Sequence, residues 1–105
     1  MSININSKLN EQECFWDISL EGELDVSTAD KLKEHLHNLA DKESLDMKIN
    51  LTNLDYIDST GLGVMIGVLK KLKINGKEIY ILNPKINVKK IFAITGLDKI
   101  FKVEG

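Results

Sequence analysis

The sequence predicts an α/β fold: a small mixed β-sheet of about four strands, packed against three to four helices. Three observations carry that expectation. Two N-terminal stretches alternate apolar and polar residues across a polar turn, as half-buried strands do. Two longer stretches place their apolar residues at helical spacing. Further apolar, β-branched runs lie between and after those helical stretches, so the strands must be joined by crossovers and run parallel.

Taken in order, Ile3, Ile5 and Leu9 alternate loosely with polar residues, and Cys14, Trp16, Ile18 and Leu20 alternate strictly. Asn10-Glu11-Gln12-Glu13 reads as the turn between them, which makes this first pair antiparallel. Ser27, with Asp30 three residues on, reads as a helix N-cap resembling a capping box. Ala29, Leu32, Leu36, Leu39 and Ala40 then follow on one helical face, giving a first helix over about residues 27–41. Met47, Ile49 and Leu51 alternate with Lys48, Asn50 and Thr52 in a third strand. After Leu54-Asp55-Tyr56-Ile57 come the capping residues Asp58-Ser59-Thr60-Gly61, then a helix with Leu62, Met65, Ile66, Leu69 and Leu72 on one side. Gly76 suits the left-handed position that ends a helix. Glu78 to Leu82 form a fourth strand, Asn83-Pro84 a turn, and Val88, Ile91 and Phe92 a third helix ending near Thr95-Gly96. Leu97, Ile100, Phe101 and Val103 keep the tail apolar enough to pack against the rest.

A chain of 105 residues fits one domain spanning 1–105. It is long enough to bury roughly 65% of its unfolded surface without disulfide or metal staples. Cys14 is the only cysteine, which excludes a disulfide framework and a cysteine-based zinc site. No apolar run approaches the roughly 20 residues that span a bilayer, and Met1-Ser2-Ile3-Asn4 lacks the character of a signal peptide, so the expected location is the cytoplasm, with no membrane role. Charge is unevenly placed: residues 1–58 hold five lysines against thirteen acids, residues 59–105 nine lysines against three. Such a dipolar chain suits the orientation of a protein partner. All fourteen basic residues are lysine, and without the arginine fork direct nucleic-acid binding is not expected.

Catalytic patterns are missing. Ile57-Asp58-Ser59-Thr60-Gly61 does not match the nucleophile elbow, and Gly61-Leu62-Gly63 lacks the rest of a dinucleotide or P-loop signature. His35 and His37 sit two apart on the first helix: His35 near the edge of the apolar stripe, His37 facing solvent. Asp55 and Asp58 read as loop solvation. No catalytic residue, metal or cofactor is therefore expected.

What remains is Asp58-Ser59-Thr60-Gly61-Leu62-Gly63, where Asp58 or Ser59 caps a helix. Gly63 and Gly67, one turn apart, leave a smooth patch away from the apolar stripe, with Val64 at its flank, open to a neighbouring element or a partner. A phosphate on Ser59 would sit where the helix dipole and unpaired N–H groups favour negative charge. It would change the surface by bulk and charge, beside Asp58 and Asp55, without refolding it.

Tyr56-Ile57-Asp58-Ser59-Thr60-Gly61-Leu62-Gly63-Val64 resembles the signature of the anti-sigma factor antagonists, stand-alone members of the STAS domain family. Gly22-Glu23-Leu24-Asp25 and Phe92-Ala93-Ile94-Thr95-Gly96-Leu97 resemble that family in register. The resemblance implies a STAS fold and partner switching. The unmodified chain would bind an anti-sigma factor that is also a serine kinase, releasing the sigma factor. Phosphorylation of Ser59 would end that binding until a serine phosphatase reverses it. Asp25, Asp58, Thr60, Gly61, Gly63 and Val64 would belong to the partner-binding surface, with Thr60 a secondary phosphate acceptor. Asp25 also reads simply as a turn or capping residue before Ser27. The alternative function is a STAS scaffold of a transport or signalling complex, in which Ser59 is only a cap.

Overall fold

The computed structural model describes residues 2–105, with the element order β1 (Ile3–Asn10), β2 (Phe15–Leu24), α1 (Ala29–Lys42), β3 (Asp46–Ile57), α2 (Ser59–Lys73), β4 (Ile79–Leu82), α3 (Ile86–Ile94) and β5 (Lys102–Glu104), the last preceded by a 3-10 turn at Leu97–Lys99. The strands lie side by side in chain order, β1-β2-β3-β4-β5. β1 is antiparallel to β2, in the register Ile5↔Leu20 and Leu9↔Trp16; all later pairs are parallel. The expected mixed sheet is present, with a fifth strand where the apolar tail was expected only to pack.

Period-two patterning decides which face is covered. Trp16, Ile18 and Leu20 of β2, Met47, Ile49 and Leu51 of β3, and Ile79 and Ile81 of β4 are buried in one cluster with the inner faces of all three helices. The alternate residues form the uncovered face, where the Lys48 ammonium lies 4.2 Å from the Phe15 ring centroid and 5.8 Å from that of Tyr80. Each crossover steps one strand in the same direction, so right-handed connections deliver every helix to the same side.

Two ends of elements follow from single residues. Gly76 adopts φ +71, and the bonds Lys77 N–H to Leu72 O and Gly76 N–H to Lys73 O, both 3.0 Å, close α2 in a Schellman motif. Gly22 adopts φ +111 at a register shift between β2 and β3, beside the Ser2 carbonyl that accepts the Glu23 N–H at 2.9 Å. The expected cap at Ser27 is not formed. α1 begins after Thr28, whose hydroxyl turns back to donate to Glu23 O at 2.8 Å, while Ser27 bonds to Asp25. β3 also runs further than the alternation suggests, through Leu54 to Ile57, which carries its end up to Ser59.

Candidate functional site

The carboxyl-terminal ends of β2 and β3 meet beside the start of α2. The Asp58 N–H donates to Leu24 O at 3.1 Å, so one hydrogen bond joins the residue before Asp25 to the residue before Ser59. Asp58 is the N-cap: its backbone is extended (φ −116, ψ −177), and its Oδ1 accepts the Gly61 N–H at 3.0 Å. The open choice between Asp58 and Ser59 is thereby resolved, and the Ser59 hydroxyl takes no part in the cap. Ser59 and Thr60 are the first two helical residues and are exposed.

Asp25 is buried directly after β2. Its Oδ1 accepts the Ser27 hydroxyl at 2.6 Å and the Ser27 N–H at 2.9 Å, and its carbonyl accepts the Ala29 N–H at 2.8 Å. The Ser27 hydroxyl bond is the main reason that its carboxyl is held below the usual range; burial opposes this, and the Ser27 and Thr28 backbone groups and the Thr28 hydroxyl assist. The turn role read from the sequence is thus physically present at this position.

The glycines divide by role. A Cβ on Gly61 would lie 2.5 Å from Leu24 Cγ and 3.2 Å from the Leu24 carbonyl oxygen, so Gly61 is where α2 touches β2. It is buried at that contact. A Cβ on Gly63 or Gly67 would meet nothing within 4 Å, so no neighbouring element uses that smooth patch. Instead it floors a groove of about 350 Å³ between α1 and α2. Ala29, Asp30, Lys33 and His37 form one wall; Thr60, Gly63, Val64 and Gly67 form the other. The Lys71–Asp41 ion pair joins the same two helices one turn further along.

His37 is half-buried on this wall, where the sequence places it in solvent. Burial is the main cause holding its imidazole below the ordinary value; Lys71 and Lys33 act in the same direction and Asp41 opposes them. His35 faces elsewhere, its Nε2 2.8 Å from Ser7 Oγ. The Lys33–His37 wall was missed from sequence, although their spacing of four places them on one helical side. Val26 (75% exposed) and Tyr56 (44% exposed), at the strand ends flanking the serine, were missed too. Val26 stands alone after β2 and carries no periodic signal, and Tyr56 lies where the period-two alternation of β3 gives way. Among the described residues no group of three or more His, Cys, Asp or Glu could hold a metal, and no helix is long and apolar enough to cross a membrane.

An exposed serine on a capped helix start, set in a one-sided sheet with chain-order strands, defines a class, and the STAS domain profile matches residues 6–105. The chain belongs to the STAS domain family. Within it the chain groups with the anti-sigma factor antagonists: it is 40% identical over 101 residues to the anti-sigma-B factor antagonist of Staphylococcus aureus strain NCTC 8325 / PS 47, covering 96% of this chain and 94% of that one. Two solved structures share the fold. An anti-sigma factor antagonist from Mycobacterium paratuberculosis superposes with TM-score 0.80 at 24% identity, over 97% of this chain and 85% of that one. The Bacillus cell fate determinant SpoIIAA in its phosphorylated form gives 0.73 at 22%, over 97% and 92%.

Proposed function

We propose that this chain is a phosphorylation-controlled anti-sigma factor antagonist whose switch is Ser59. Unphosphorylated, it binds an anti-sigma factor that is also a serine kinase and frees the sigma factor. The kinase transfers phosphate to the Ser59 hydroxyl, binding is lost, and a serine phosphatase restores it. The observation that carries this reading is the division of labour at the helix start: Asp58 makes the cap, leaving the Ser59 hydroxyl exposed at the first helical position. The S. aureus relative supports the antagonist role by its name, and SpoIIAA, solved phosphorylated, supports phosphate as the mark.

The physics explains why a phosphate can switch binding without unfolding the chain. About 1.5 to 2 negative charges at the start of α2 are offset by the helix dipole. They also add to Asp58 and Asp55 nearby, so a partner lying over the helix start loses contact through bulk and charge. Asp58, Thr60, Gly63 and Val64 make up the surface that this partner reads, with buried Asp25 and Gly61 shaping it from beneath, Asp25 through the Ser27 turn and Gly61 against Leu24. Incubating the chain with its cognate kinase and ATP adds one phosphate by mass spectrometry, and Ser59→Ala abolishes it; uptake unchanged in Ser59→Ala rejects the assignment and favours a scaffold role. Ser59→Asp weakens partner binding by tenfold or more, on the order of 1.4 kcal/mol, and keeps the helical circular-dichroism spectrum.

A further inference from the structure

The outer face of α3 is not used by the fold. Ile86 and Ile94 are 74% and 83% exposed, and with Lys90 they form a stripe about 12 Å long on the side opposite buried Val88 and Phe92. The helix contains no carboxylate, and residues 83–105 carry five lysines against two acids in a chain of net charge −2. Lys85 pairs with Asp55 at 2.8 Å and Lys89 donates to Gly105 O at 2.9 Å, while Lys90 has no ion-pair partner among the described residues. The stripe also begins at the Ser59 end of the molecule: Asn87 Nδ2 donates to Asp55 O at 2.9 Å, fixing the first turn of α3 to the stretch of β3 that leads into Asp58.

We infer that α3 is a second, phosphorylation-independent docking surface for the same partner that covers Ser59, taking an acidic segment with apolar residues that seat on Ile86 and Ile94. This inference rests on the switch proposed for Ser59 and gives that partner a two-part footprint. One part is closed by phosphate; the other keeps its contacts and supplies residual affinity. Lys90 faces the partner's carboxylates, steering approach and making it salt-dependent. An anionic membrane is disfavoured as occupant: stable attachment calls for clusters of about four to eight basic residues, and the chain as a whole is negative.

The test is titration calorimetry and association kinetics with the cognate anti-sigma factor for wild type, Ile94→Glu, Lys90→Glu and Ser59→Asp. Both altered positions are exposed, so circular dichroism should match wild type. Ile94→Glu is expected to weaken binding about tenfold, and Lys90→Glu to slow association and flatten its salt dependence. Ile94→Glu should also lower the residual affinity of Ser59→Asp by a similar factor. Unchanged affinity in both α3 variants, with Ser59→Asp still weakened, overturns the second surface and leaves the switch standing. Loss in the α3 variants with Ser59→Asp unaffected upholds the surface and rejects the switch. Co-sedimentation with phosphatidylserine vesicles that Ile94→Glu abolishes, at unchanged partner affinity, overturns the inference in favour of lipid.

Discussion

Asp58 and Gly61 set the position of Ser59 by different means, and each can be perturbed alone. Asp58→Ala removes the side-chain bond to Gly61 N–H and should cost about 1 kcal/mol in chemical denaturation. Gly61→Ala pushes a methyl into Leu24, backbone included, and should cost roughly 1–3 kcal/mol. His37 adds a pH dependence. Its folded pKa lies below its ordinary value of about 6.5, so between the two the unfolded chain binds the extra proton. Stability should therefore be lost as pH falls through that window and level off below it. His37→Asn should flatten the curve followed by thermal unfolding between pH 5 and 7. The serine at this site was legible because a run of capping residues before a helical stripe is a local pattern. The choice of Asp58 over Ser59 as cap was not, since both residue types cap well and only the extended backbone at Asp58 decides. Ser27 was misread for a related reason: buried Asp25 captures its hydroxyl from across the turn, a competition that spacing does not reveal.

Among the elements, α2 separates folding from recognition most cleanly. Gly63→Ala and Gly67→Ala meet open space and helix-compatible backbone, so each should raise stability by up to about 1 kcal/mol. Both methyls would project into the α1–α2 groove, so partner affinity should fall while the melting temperature climbs. That opposite movement, measured on the same proteins, distinguishes a docking groove from an idle surface. The three helices were readable from apolar spacing because each buries one continuous stripe. β5 was not, because three residues are too short to alternate and its pairing depends wholly on β4. Phe101 fixes that last strand: it is 1% exposed and its ring meets Phe92 edge-on at 5.5 Å between centroids. Phe101→Ala should cost about 3–5 kcal/mol in denaturant unfolding.

At the scale of the molecule, the covered face of the sheet carries the core, and the ends of the strands carry the site. The helix-free face has polar residues with Phe15 and Tyr80 around Lys48, and the core does not depend on it. The division of charge in the sequence becomes local here: the end of α2 and the stretch from α3 to the tail share the unbalanced lysines, while Asp55 and Asp58 flank the β3 end that leads into Ser59 and Asp25 lies beside it across the Leu24–Asp58 bond. The sheet order has a kinetic consequence. Because every strand lies beside its predecessor in the chain, no pairing waits on a later segment. Each pairing closes over a single hairpin or crossover, which keeps down the loop-closure entropy that parallel pairing must overcome. Ser59 and its cap draw on β2, β3 and α2 alone, and the β2–β3 pairing closes over α1, so the site is built from one contiguous stretch of chain.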